Sequence, residues 1–130
     1  MRLAALLFCL VLAGCGTLFS SEPPPAYVVF FADNSLDIAP DAQAIVKSAA
    51  AKANLNPGQM VAVAGPSTKV APGYNPGLAE PRIAAVERAL IAAGVPSNRL
   101  VRASLTTGNA KVDVTGAQRV EIRLVDKPES

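Results

Sequence analysis

Apolar positions along the chain switch between a period of two and a period of three to four, and the switches mark the elements. Residues 27–31 (YVVFF) form an unbroken β-branched and aromatic run. They predict a first strand that is central or covered, because it is apolar on both faces. Residues 32–37 (ADNSLD) are dense in turn formers. Pro40 suits the first position of a helix, where its missing N–H costs nothing, and Asp41 complements the dipole in the first turn. Ile38, Ala42, Ile45, Val46, Ala49 and Ala53 then recur at helical spacing, with Gln43, Lys47 and Lys52 on the other side. Residues 54–58 (NLNPG) stop this helix.

Residues 60–65 (MVAVAG) predict a second, buried strand, and a loop carrying Pro66, Pro72, Gly73, Pro76 and Gly77 follows it. A second helix is expected from about Ala79 to Ala93, with Pro81 in its first turn. Leu78, Ile83, Val86, Leu90 and Ala93 make its stripe; Gly94 and Pro96 close it. Residues 99–105 (RLVRASL) predict a short third strand around Leu100 and Val101. Val112 and Val114 alternate with Lys111 and Asp113, which predicts a brief edge strand. Residues 119–125 (RVEIRLV) alternate cleanly: Val120, Ile122 and Leu124 one way, Arg119, Glu121 and Arg123 the other. They predict a half-exposed terminal strand whose charged side is a solvated face. The order β-α-β-α-β(-β) predicts an α+β fold, a mixed sheet with two helices on one face in a two-layer sandwich.

The amino end follows a different pattern. Arg2 precedes about ten apolar residues, 3–12, which are too few to span a bilayer and suit the core of an export signal. Leu12-Ala13-Gly14-Cys15 resembles a bacterial lipobox. That resemblance implies a lipoprotein signal peptide over residues 1–14, cleavage before Cys15, and acylation of Cys15 by palmitate-like chains. Two or more chains give stable membrane anchoring where one gives marginal binding. Gly16 in place of Asp implies, by the same resemblance, delivery to the outer membrane. Residues 15–26 then read as the lipidated cysteine and a Pro/Ser tether, since Ser20-Ser21-Glu22-Pro23-Pro24-Pro25 cannot pack a core. Residues 27–125 form the domain and residues 126–130 a disordered tail.

Composition removes whole classes of chemistry. The 130 residues hold no histidine, and both cysteines, Cys9 and Cys15, lie in the first fifteen positions. No Ser-His-Asp or Cys-His arrangement, disulfide framework or zinc site can be built from these residues, and no acid–base pair or cofactor motif stands out. The chain therefore reads as a non-enzyme with no metal and no cofactor. Net charge is +2 and the charges are mixed, so no nucleic-acid footprint appears. Hydrophobic residues make up 51% but aromatics only 5%, so the core rests on Ala, Val, Leu and Ile.

Several motifs belong together. Tyr74-Asn75 is followed by Leu78, Arg82 and Val86, at three, seven and eleven residues after Asn75, and much later by Arg119-Val120-Glu121-Ile122. With YVVFF, the APDAQAIV helix start and the apolar strand ending at Gly65, this resembles the OmpA-like peptidoglycan-associating domain over residues 27–125. The resemblance implies a pocket for the diaminopimelate side chain of the cell-wall peptide. In that family an aspartate just after the second strand's glycine meets the ligand's ammonium, and the second helix's arginine meets its carboxylate. Arg82 and Asn75 match the family positions, whereas the aspartate position is Thr68 and its preceding histidine is Pro66. Relatives often carry an acidic residue directly after the first strand; here that residue is Ala32, with Asp33 adjacent. The usual Asn-Arg before RVEI is Ala117-Gln118.

The candidate ligand-binding set is thus Arg82, Asn75, Asp33 and Thr68. Arg82 reads either as a carboxylate clamp near a helix N-terminus or as an ordinary helix arginine. Asn75 reads as a turn residue as well as a ligand contact. Two functions follow from the resemblance. One is a periplasm-facing outer-membrane lipoprotein that tethers envelope layers through weakened, non-covalent peptidoglycan binding. The other is an assembly lipoprotein whose fold serves as a platform for envelope proteins. In both, Cys15 joins the chain to membrane lipid.

Overall fold

The computed structural model describes residues 26–103, 105 and 113–128. The expected signal peptide, the lipidated Cys15 and its tether to residue 25, Lys111 and Val112, and the last two residues of the tail lie outside the described residues. Four strands form one sheet in the order β1-β4-β2-β3. β1 (Tyr27–Phe30) leads through a loop to helix α1 (Pro40–Leu55), which returns to β2 (Gln59–Ala64). A long loop with a 3-10 turn (Pro76–Leu78) precedes α2 (Ala79–Ala92); a second 3-10 turn (Ser97–Arg99) opens β3 (Leu100–Arg102). A one-turn helix, α3 (Val114–Ala117), leads into β4 (Arg119–Asp126).

β4 lies between β1 and β2 and runs antiparallel to both, while β3 runs parallel to β2. β1 and β2 therefore point the same way without touching, and α1 joins them as a split β-α-β unit. Alternation puts Val61 and Val63 of β2, and Val120, Ile122 and Leu124 of β4, on one face. Val46, Ala49 and Ala53 of α1 and Ile83, Val86 and Leu90 of α2 cover that face as one buried cluster. Both helices pack on the sheet and on each other. The expected two-layer α+β sandwich is the fold. Small side chains on α1 let it sit close to the sheet, at the cost of little apolar area per turn. Among the described residues no helix is long and apolar enough to cross a membrane.

Three expectations are corrected. β1 is an edge strand and not a central one. Val29 and Phe31 are buried, but Phe30 is 53% exposed, because helices cover only one face of the sheet. Val114 does not continue an edge strand. Asp113 caps a short helix there, its Oδ1 accepting from the Gly116 N–H at 2.6 Å, and this local cap overrides the alternating pattern. The third strand begins one residue later than expected and is only three residues long, because Arg99 closes the 3-10 turn through its N–H to the Pro96 carbonyl.

α2 ends as its sequence predicts. Gly94 has φ +102°. The Val95 N–H reaches the Leu90 carbonyl and the Gly94 N–H the Ile91 carbonyl, both at 3.0 Å, and Leu90 and Val95 are buried together. This is a Schellman end with its hydrophobic contact, and an L side chain at Gly94 is strained. Gly94→Ala is expected to lower stability by about 1 kcal/mol, read as a lower denaturation midpoint in urea with unchanged slope.

Candidate functional site

Arg82 stands in the first turn of α2 and is only 1% exposed. Its guanidinium turns inward, under the loop that follows β1. Nε donates to the Ser35 carbonyl at 2.9 Å and Nη2 to the Ala32 carbonyl at 3.2 Å. The loop can present both carbonyls because it folds back on itself. The Ser35 N–H bonds to the Ala32 carbonyl at 3.0 Å, and Asn34 takes φ +53°. Asn is among the few non-glycine residues that enter this region readily. The guanidinium carbon lies 5.0 Å from the Phe31 ring centre, within cation–π range.

This cation is incompletely matched. Nη1 is buried with no hydrogen-bond partner among the described residues, and only neutral carbonyls meet the other nitrogens. Burial lowers the Arg82 pKa, while the nearby Tyr74 and Asp33 raise it. A buried arginine gains most from a carboxylate in its plane, where two N–H groups can donate together.

Tyr74 holds the neighbouring loop. Its hydroxyl is buried and donates to the Pro66 carbonyl at 2.5 Å. Burial raises the Tyr74 pKa above the usual phenol value, against a lowering pull from Arg82 and Arg119. A folded-state pKa above the unfolded one means that this contribution is complete below the ordinary tyrosine pKa and fades as pH rises through the folded value. Tyr74→Phe is expected to cost about 1–2 kcal/mol near neutrality, because the Pro66 carbonyl is left buried without its donor. The variant should also lose part of its parent's destabilisation at alkaline pH, which paired denaturation curves at pH 7 and above pH 10 would read.

Beside Phe31 the surface opens into a cleft of about 280 Å³ lined by Phe31, Ala32, Asp33, Val114, Thr115 and Gln118. Gln118 is 4% exposed; its Nε2 donates to Asp33 Oδ1 at 3.4 Å, and its Oε1 is buried with no partner among the described residues. Arg82 and Asp33 thus flank one short loop, one beneath it and one on it.

The OmpA family's sequence model matches residues 30–123. The chain belongs to the OmpA family. No curated protein sequence matches it. Solved structures similar to it share the fold at low identity. The peptidoglycan-associated lipoprotein of Burkholderia pseudomallei is 24% identical, with 77% of this chain and 89% of that one covered and a TM-score of 0.56. The OmpA-like domain of FopA1 from Francisella tularensis is 18% identical over 77% and 73% of the two chains, with a TM-score of 0.59. The C-terminal domain of Helicobacter pylori MotB is 19% identical over 80% and 86%, also with a TM-score of 0.59.

The other sequence candidates of this OmpA-family domain sit differently. Asn75 caps the 3-10 turn before α2, its Oδ1 accepting from the Gly77 N–H at 2.9 Å, and so acts as a turn residue. Thr68 is exposed on the loop after β2 and does not line the Phe31–Gln118 cleft. Arg119, Glu121 and Arg123 are not separately solvated. Glu121 lies 3.6 Å from Arg119 and 3.5 Å from Arg123 in a half-buried row across β4. Gln118 and Phe31 were not candidates from sequence. The available signal was the departure at Gln118 from the family's arginine. Among the described residues no three His, Cys, Asp or Glu side chains cluster as a metal site.

Proposed function

We propose that this chain is a non-catalytic envelope protein that binds peptidoglycan non-covalently and weakly, with Arg82 holding a carboxylate of the wall peptide. One observation carries the proposal: a fully buried arginine that faces neutral carbonyls, with no partner for Nη1 among the described residues. Buried polar groups without partners are uncommon, and a buried charge met only by neutral groups is costly. A ligand carboxylate removes that cost. The turn at 32–35 closes over the guanidinium, so the ligand must shift it to reach Nη1, and part of the binding energy is spent there. With Thr68 exposed where the family has its aspartate, the affinity is low on two grounds.

The chain's anchoring extends this reading. Acylation at Cys15 would fix it to membrane lipid at the outer membrane, the tether would lift the domain into the periplasm, and wall binding would join the two layers. A competing reading keeps the fold as a platform for another envelope protein; the sealed position of Arg82 favours it. Sedimentation with purified peptidoglycan separates the two. Co-sedimentation of the full chain that is lost in a folded Arg82 variant supports wall binding. Failure of the wild-type chain to sediment would leave only the platform.

A further inference from the structure

We infer that the end of the domain where α1 and α2 finish is a docking surface for an anionic lipid headgroup layer. The inference goes beyond wall binding and does not need it; it rests only on the membrane anchoring proposed above.

Three observations carry it. First, charge is sorted along the sheet axis. α1 and α2 both start at the end where β1 and β2 finish, and both return toward the end where β2 and β3 begin. Asp33, Asp37, Asp41, Glu80 and Asp113 stand in the loops and first turns of the former end. Toward the latter end the balance reverses. Residues 44–55 of α1 hold Lys47 and Lys52 and no acid. Residues 84–93 hold Arg88 and one acid, Glu87, which pairs with Arg102. Lys127 follows β4 out of the same end, and Asp126 beside it accepts from the Gln59 amide at 3.0 Å. Lys47, Lys52, Arg88 and Lys127 are all exposed, and none forms an ion pair among the described residues.

Second, apolar groups stand among these cations. Leu55, the last residue of α1, is 78% exposed, and Ile91 in the last turn of α2 is 45% exposed. Between the two helices lies an apolar groove of about 220 Å³ lined by Ile38, Val46 and Ala89, with Lys47 among its walls. Exposed apolar side chains ringed by lysine and arginine match a lipid interface. The apolar groups enter the acyl boundary while the long basic stems reach up to the phosphates.

Third, the connectivity brings this end to the membrane. β1 points the same way as β2, so it too begins toward this end. Cys15 precedes Tyr27 by twelve residues, which reach at most about 40 Å. Attraction between basic residues and anionic lipid fades beyond a Debye length, ~10 Å at 0.1 M salt, so anchoring is what lets these cations act together. Docking this end turns the loop over Arg82 away from the lipid.

The chain contains no tryptophan, so one introduced indole reports on one place. Leu55→Trp and, at the opposite end, Leu36→Trp both replace exposed side chains. Each full chain is reconstituted with vesicles carrying brominated acyl chains, made of phosphatidylcholine alone or mixed equally with phosphatidylglycerol. In the anionic vesicles Leu55→Trp emission should be quenched about twofold or more, and should recover at 1 M salt, where the Debye length is about 3 Å. Leu36→Trp should stay unquenched in both. Adding Lys47→Gln, Lys52→Gln and Arg88→Gln to Leu55→Trp should abolish the quenching, with circular dichroism confirming the helices. Quenching that is equal in neutral and anionic vesicles, or that survives the three Gln substitutions, removes the anionic headgroup as the partner. If the chain stays with the vesicles but Leu55→Trp is unquenched, or Leu36→Trp is quenched in its place, the docking surface is overturned while anchoring stands. That result leaves the face to a protein partner. A chain that sediments with neither kind of vesicle ends anchoring and docking together.

Discussion

Arg82→Met should lower affinity for purified peptidoglycan by about a hundredfold while the protein still folds. The two effects separate because the arginine does two jobs. Its charge-assisted bonds to a ligand carboxylate are each worth roughly 1.5–3 kcal/mol, so losing the ion costs one to two orders of magnitude in binding. Its contribution to folding is smaller. Methionine keeps an unbranched, polarizable stem against Phe31, and removing a buried cation relieves its desolvation. What is lost is the pair of bonds to the Ala32 and Ser35 carbonyls. Ala32 is exposed and Ser35 half-buried, so water can replace much of that loss. A stability change of about 1–2 kcal/mol is expected. Arg82→Ala is a poorer test, since it leaves a cavity between α2 and the loop and costs several kcal/mol. Arg82→Lys keeps the charge but not the planar fork, and should fall between wild type and Met. Undiminished sedimentation of a folded Met variant with peptidoglycan would remove Arg82 from the site.

Much of this arrangement can be read from periodicity, and the reason is physical. α1, α2, β2 and β4 each bury one face or are buried outright, so their side chains carry the period of the element. Val120, Ile122 and Leu124 show it most cleanly, and β4 was found nearly to the residue. What periodicity cannot carry is strand order. β1 and β4 pair over a separation of almost the whole domain, and an apolar run such as YVVFF looks the same at an edge as in the middle. Only the structure shows that Phe30 faces out. Val114 failed for the opposite reason: a local cap at Asp113 outweighed a short alternating pattern.

The site was half legible. Spacing from Asn75 located Arg82, but not the direction of its side chain. That direction depends on carbonyls at Ala32 and Ser35, 50 and 47 residues earlier in the chain, and on a turn that Asn34 permits. Asp33 was named from its place after the first strand, and the structure puts it in the cleft. Its partner Gln118 sits 85 residues away and carries no charge, so only its departure from the family's arginine before Arg119 could mark it.

A large loss of stability is expected at a second arginine, for Arg99→Ala. Arg99 lies in the 3-10 turn before β3, and its guanidinium donates to three carbonyls at the junction of α1 and β2. Nη2 reaches Ala53 at 2.9 Å, Asn56 at 2.8 Å and Gln59 at 2.8 Å; Nε reaches Gln59 at 3.0 Å. The carbonyls of a helix's last turn have no partner inside the helix, and a cation placed there also complements the dipole. One side chain therefore closes α1, fixes the turn into β2 and holds both to the strand that pairs in parallel with β2. Arg99 is half-buried, so each bond is counted at about 1 kcal/mol and not at the value for a fully buried charge. Arg99→Ala should cost about 2–3 kcal/mol, which lowers the melting temperature of a domain this size by roughly 8–20 °C. Arg99→Lys should recover part of that loss, because one ammonium cannot span three carbonyls. The junction lies at the start of β2, while the loop at 32–35 follows the end of β1, which runs in the same direction; the two arginines are at opposite ends of the sheet. Below its melting temperature, Arg99→Ala should bind peptidoglycan like its parent, the reverse of Arg82→Met. A melting temperature within about 2 °C of wild type would show that the three carbonyls are held by something other than this guanidinium.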